Sequence, residues 1–184
     1  MTARAQMFSS SPNSGSESMQ LMYLLAITAA SSAIDLSAAY FFPDDLSLKA
    51  LGAALKRGVR LRIILPGEHI DSDVVRNASR AQWEPLLEAG ALIAEYVPTM
   101  YHCKVMIIAK LLVSVGSTNF DNRQFRLNDE TTLNVISSEF ADKQTGVFES
   151  DLALARPVLL AQCRDRPWRE KVKESLASML RSQL

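Results

Sequence analysis

Residues 101–130 read YHCKVMIIAKLLVSVGSTNFDNRQFRLNDE. The apolar run predicts a strand from His102 to Ile108, a short turn, and a second strand from Leu112 to Val115. Alternate side chains of a strand share a face, so His102 and Lys104 project together while Cys103 points the other way as a small core residue. The second strand runs into Gly116-Ser117-Thr118-Asn119. An imidazole, an ammonium, a hydroxyl and a carboxamide are thereby brought toward one point, and together they suit a phosphate ester. Lysine and asparagine donate to non-bridging oxygens and offset charge that develops in the transition state. A histidine attacks phosphorus or passes a proton to a leaving oxygen. Arg123 and Arg126, just beyond Asn119, are further candidates for meeting an anionic substrate.

Outward from this stretch, helices and strands alternate. On the N-terminal side, Arg4 to Phe8 predicts a short strand, followed by a Ser-rich linker through Ser18. Met19, Met22, Leu24 or Leu25, and Ile27 lie on one face of a helix. Ile34 to Ala39 is a strand, and Phe42-Pro43-Asp44-Asp45 is a turn whose Asp caps a helix carrying Leu48, Leu51 and Leu55 and ending at Gly58. Val59 to Leu65 is a strand stopped by Pro66-Gly67. A helix capped between Asp71 and Asp73 runs to Gly90 with a break near Pro85, and Ala91 to Val97 follows as a strand. On the C-terminal side, Thr131 to Ile136 is a strand, Ser137 or Ser138 opens a helix, and residues 168–184 form an amphipathic helix with Trp168, Val172, Leu176 and Leu180 at helical spacing. The alternation predicts a layered α/β fold without internal repeats, a single domain spanning residues 1–184.

The bulk numbers agree. The chain has 184 residues, 48% of them hydrophobic and 22% charged, which is ample for one sizeable core. Its 20 basic and 20 acidic side chains cancel, so no global field recruits nucleic acid or an anionic membrane. Lys56, Arg57, Arg60 and Arg62 are read as a charged helix end and a solvated strand face. Cys103 and Cys163 form neither a disulfide framework nor a metal site, which suggests a reducing compartment. The apolar stretch from Met19 to Ile34 is interrupted by Gln20, Thr28, Ser31 and Ser32 and is too short for a membrane span, which needs roughly 20 residues. The N-terminus lacks a signal-peptide layout. The expectation is a cytoplasmic protein, with peripheral contact at the inner membrane left open and nucleic acid not an expected partner.

HxK followed by GSxN resembles the signature of the phospholipase D superfamily, HxKxxxxD with a downstream GSxN. His102 and Lys104 match the first element, and Gly116, Ser117 and Asn119 the second. Residues 39–71, AYFFPDDLSLKALGAALKRGVRLRIILPGEHID, and residues 116–135, GSTNFDNRQFRLNDETTLNV, resemble the C-terminal half of bacterial cardiolipin synthases. The resemblance implies a mixed β-sheet flanked by helices on both faces, no metal or other cofactor, and a two-step reaction through a phosphohistidine. It implies Lys104, Ser117 and Asn119 at the phosphate. It also implies Glu130 as a carboxylate that hydrogen-bonds the catalytic His102 and fixes its tautomer. Cardiolipin synthases move a phosphatidyl group from a phosphatidylglycerol-like lipid to the hydroxyl of another, and relatives use water instead. A phosphatidyltransferase or phosphodiesterase is therefore expected.

Two departures bear on that expectation. Ala109 stands where the family carries the Asp of its motif, a residue that supports the architecture of the site rather than holding phosphate. The family site also uses two copies of the motif, one histidine as nucleophile and the other as general acid. The other histidine here, His69, lies in Gly67-Glu68-His69-Ile70-Asp71, where Asp71 occupies the place a lysine would need. The chain supplies half a site, and its expected partner is a second copy in a two-fold homodimer or a separate N-terminal half. Two further readings remain: a catalytically impaired phospholipid-binding pseudo-enzyme or fragment, motivated by Ala109 and the missing first motif, and a dimeric nuclease of the same superfamily, against which the neutral charge and the synthase-like flanks argue.

Overall fold

Runs of Ile, Leu and Val bounded by Gly and Pro build the centre of this α/β protein. The computed structural model describes residues 3–10, 17–70, 76, 79–80, 82–121 and 129–164. Along them run β1 (Arg4–Ser10), α1 (Glu17–Ala29), β2 (Ala33–Ala38), β3 (Phe41–Phe42), α2 (Asp45–Lys56), β4 (Arg60–Pro66), α3 (Trp83–Glu88) and β5 (Leu92–Tyr96). There follow β6 (Lys104–Ile108), β7 (Leu112–Gly116), β8 (Phe120–Asp121), β9 (Glu130–Ile136), α4 (Ser138–Ala153), β10 (Ala155–Pro157) and α5 (Leu160–Arg164).

Among the described residues the main sheet has eight strands in the order β1-β9-β7-β6-β2-β4-β5-β10, and β3 pairs with β8 in a separate ribbon. β2, β4 and β5 run parallel to one another, and β6, β7, β9 and β1 continue the sheet antiparallel. The parallel strands are buried on both faces, which is why they read as almost unbroken apolar runs. Ile34, Leu36, Leu61, Ile63, Met106 and Ile108 face a core that takes in Met19, Met22 and Ile27 of α1, Leu51 of α2 and Trp83 and Leu86 of α3. On the opposite face, Ile64, Ile107 and Val113 pack with Ala141 and Phe148 of α4. Helices thus cover both faces.

Local chemistry sets the helix ends. Asp44 accepts from the Ser47 amide at 2.7 Å and caps α2, and Ser137 caps α4 by accepting from the Phe140 amide. Such caps satisfy amides that have no partner inside the helix. Beyond α2 the chain turns at Gly58 with φ 85°, a left-handed conformation that glycine adopts without steric cost.

Several expectations are corrected. Of the two leucines offered for the inner face of α1, Leu24 is half-buried and Leu25 exposed, and the helix meets the core chiefly through Met19, Met22, Tyr23, Ala26 and Ile27. This helix is apolar nearly all round, so periodicity does not choose its inner face. The expected break near Pro85 is present: residues 79–80 are helical, Gln82 is a turn, and α3 begins anew at Trp83 with Pro85 in its first turn, where the missing N–H has no partner to lose. Arg62 is not on a solvated face. It is 8% exposed, its Nε and Nη2 bind Asp35 at 2.7 and 2.9 Å, Nη1 lies 2.8 Å from Glu149, and its guanidinium lies over the Phe148 ring at 4.9 Å. Those partners come from β2 and α4, elements distant in sequence. β3, β8, β10 and α5 were not anticipated, being too short to show a period. The predicted cap between Asp71 and Asp73, most of the Ser-rich linker and the predicted helix at 168–184 lie outside the described residues. Among the described residues no helix is long and apolar enough to cross a membrane.

Candidate active site

The parallel strands end along the edge of the sheet where β6 begins, because Ala38 closes β2 opposite Lys104. At that edge Gly116 closes β7 and Glu130 opens β9. Lys104, the Gly116-Ser117-Thr118-Asn119 segment and Glu130 therefore come from three adjacent strand ends. Open α/β sheets commonly bind ligands just outside the carboxyl ends of their parallel strands.

His102 is exposed and lies two residues before β6. It is not inside the strand, as its spacing suggested, since β2 ends opposite Lys104 and offers the preceding residues no ladder. The Lys104 Nζ donates to the His102 carbonyl at 3.4 Å. Burial pushes the Lys104 ammonium below the usual lysine pKa, and the nearby Glu130 carboxylate and Cys103 thiol pull it back up. Cys103 packs on the α4 side of the sheet, and burial raises its thiol pKa, so it is poorly suited to act as a nucleophile.

The GSTN segment is held by close contacts. A Cβ at position 116 would fall 2.1 Å from the Thr131 carbonyl oxygen and 2.7 Å from Thr132 Cα, so only glycine fits. Ser117 donates its amide to the Thr131 carbonyl at 2.9 Å, and its hydroxyl accepts from the Thr131 amide at 3.0 Å. The Thr118 and Thr132 hydroxyls meet at 2.8 Å. Asn119 is 3% exposed, and its Oδ1 accepts from the Tyr40 amide at 3.2 Å. That bond fixes the carboxamide so that the amide nitrogen is the end suited to a phosphate oxygen. Phe120 stacks on Phe41 with ring centroids 5.6 Å apart and meets Tyr23 edge-on at 5.6 Å. The segment is thus tied to β9, to the β2–β3 connection and to α1.

Glu130 is half-buried opposite Ser10 of β1. It lies near the Tyr23 hydroxyl, whose pKa burial raises, with a small addition from that carboxylate. Arg123 and Arg126 lie outside the described residues. His69 is exposed beyond β4, in the wall of a small cleft with Glu68, Tyr96 and Arg156. Ala109 and Lys110 form the β6–β7 turn at φ 50° and 52°, closed by a bond from the Leu111 amide to the Ile108 carbonyl. Ala109 lies five positions beyond Lys104, about 17 Å at the usual rise. Among the described residues no three His, Cys, Asp or Glu side chains gather as metal ligands. Sequence reasoning missed Tyr40 and Thr132, because one acts through its main chain and the other is an ordinary threonine until β7 and β9 pair.

Residues 23–152 match the family described as cardiolipin synthase, PLD-like domain, and the chain belongs to that family. It is 33% identical over 175 residues to the cardiolipin synthase of Geobacillus thermodenitrificans, covering 95% of this chain and 35% of that protein. It is 34% identical over 159 residues to cardiolipin synthase A of Pseudomonas fluorescens, covering 86% and 33%. The chain therefore spans about a third of the length of the curated relatives it matches. Among solved structures it is similar in fold to phosphatidylserine synthase of Haemophilus influenzae, with TM-score 0.76 and 11% identity over 97% of this chain and 45% of that one. It is likewise similar to Nuc of Salmonella typhimurium, a phospholipase D family member, with TM-score 0.72 and 24% identity over 86% and 99%.

Proposed function

We propose that the chain carries one half of a phospholipase D-type transfer site acting on a phosphatidylglycerol-like phospholipid. His102 attacks phosphorus, an N–P bond forms, and the P–O bond to the departing alcohol breaks. The leaving oxygen takes its proton from a second histidine, supplied by another copy of this chain or by a separate N-terminal half. A lipid hydroxyl, or water, then gives its proton to that histidine and attacks the phosphohistidine, which breaks the N–P bond and frees the imidazole. Lys104, Ser117 and Asn119 hold the phosphate, Glu130 orients the His102 ring, and Arg123 and Arg126 meet the headgroup. The scheme needs no metal, and a lipid substrate calls for peripheral contact of a cytoplasmic protein with the inner membrane. The observation that carries it is the gathering of Lys104, the GSTN segment and Glu130 at three adjacent strand ends beside His102.

A binding-only role is the second reading, favoured by Ala109. Against it, the position lies at the far end of β6, so the change removes no group from the phosphate. The test is turnover of phosphatidylglycerol vesicles in chelator. The native chain should be active, and His102→Ala should lose about a hundredfold or more in kcat. Turnover that survives His102→Ala would sink the proposal. Vesicle binding without turnover in both the native chain and Ala109→Asp would establish the second reading.

A further inference from the structure

A nucleophile must be held within a fraction of an ångström of its line of attack, yet His102 is itself exposed and has no strand partner. The residue before it is firmly held. Tyr101 is 4% exposed, and its ring packs on Tyr96 with centroids 4.8 Å apart. Its hydroxyl lies 2.8 Å from Asp151 Oδ2 on α4 and 2.9 Å from Ser37 Oγ on β2. A phenol carries one proton and a carboxylate only accepts, so that proton goes to Asp151 and the bond with Ser37 uses the serine's proton. Burial raises the Tyr101 pKa, which keeps the phenol a donor at neutral pH.

Asp151 is in the last turn of α4. A carboxylate there meets the negative end of the helix dipole, an unfavourable place that calls for compensation. Its partner supplies the compensation and also locates the neighbouring imidazole. We infer that the Asp151–Tyr101 hydrogen bond is a strut that positions His102, so that helix α4, rather than a strand ladder, sets where the nucleophile stands. Asp151 and Tyr101 are positioning residues. The inference rests on the reading of His102 as nucleophile.

The chain has two histidines, so imidazole NMR of the full chain resolves both, with His69→Gln assigning the pair. Tyr101→Phe and Asp151→Ala should each broaden or shift the His102 resonances, move their titration midpoint, and lower kcat about tenfold or more with KM within about twofold. Asp151→Asn keeps a carbonyl acceptor and should recover most of the lost kcat. Native His102 resonances, titration and kcat in folded Tyr101→Phe or Asp151→Ala would overturn the strut while leaving His102-dependent turnover intact. If the native chain shows no turnover, or turnover indifferent to His102→Ala, the proposed function fails, and the NMR titration still decides whether the strut holds. If Tyr101→Phe does not fold, Asp151→Ala against Asp151→Asn makes the same comparison.

Discussion

Against α1, α2 and α3 the sheet presents Ile34, Leu36, Leu61, Ile63 and Met106, all buried and apolar; against α4 it presents Asp35, Ser37 and Arg62 beside Ile64 and Ile107. The first contact is non-directional, because apolar burial scales with area and is indifferent to small slides. The second is directional. α4 is registered on the sheet by Arg62 to Glu149 and by Tyr101 to Asp151, each with a defined length and angle. One face stabilises by apolar area alone, and the other also sets where a helix, and the segment it grips, must stand.

That division predicts an order of effects. Leu51→Ala on the apolar face should cost about 3–5 kcal/mol in urea unfolding, the range for a fully buried leucine, while kcat per folded molecule stays as in the native chain. A matching fall in kcat would mean that the two faces are not separable. On the polar face, Asp35→Ala should cost about 3 kcal/mol, because it leaves Arg62 buried with Glu149 as its remaining carboxylate. Replacing the pair together, Asp35→Leu with Arg62→Met, should return unfolding stability to within about 1 kcal/mol of native. A double variant as unstable as Asp35→Ala would show that the pair stabilises the fold outright rather than setting its geometry.

Smaller effects sharpen the contrast at the ends of β6. Ala109→Gly should raise stability by about 0.5 kcal/mol, since alanine is strained at φ 50° and glycine is not, less the entropy that glycine loses on folding. Thermal melts that instead drop for Ala109→Gly would discount strain in this turn. At the other end, Lys104 lies in the apolar row with Met106 and Ile108, and burial lowers its pKa. A lowered lysine pKa means that its charge is lost earlier as pH rises, so KM for an anionic phospholipid should climb below the ordinary lysine value. Glu130 acts in the opposite direction on Lys104, so Glu130→Gln should move that rise to still lower pH. A KM profile flat to the ordinary lysine range, or shifted upward in Glu130→Gln, would contradict the placement of Lys104 at the phosphate.

The strand pattern was legible because period-two alternation and Gly, Pro, Asp and Ser boundaries are local: Asp44 and Ser137 cap the helices they were expected to cap. The compound motif was legible for a related reason, since HxK and GSxN sit at the ends of consecutive strands. Their adjacency follows from a hairpin. What was misread depended on contacts distant in sequence. Arg62 reads as a surface charge until β2 and α4 surround it, and Leu24 and Leu25 read alike until α1 chooses among several apolar faces. His102 reads as a strand residue until β2 ends two positions short of pairing with it.

The sequence by itself determined the family, the α/β layering and the chemical inventory of the candidate site, because period, caps and motif spacing are written within a few residues of one another. Only the tertiary structure decided which way the Asn119 carboxamide is held, why position 116 admits no side chain, and that an aspartate at the end of α4 grips the residue before His102. Those outcomes turn on distances near 3 Å between segments 50 or more residues apart for Tyr40 with Asn119 and Tyr101 with Asp151, and the close approach at Gly116 needs β7 and β9 paired in register. Long-range register is a property of the packed whole, so no local pattern announces it.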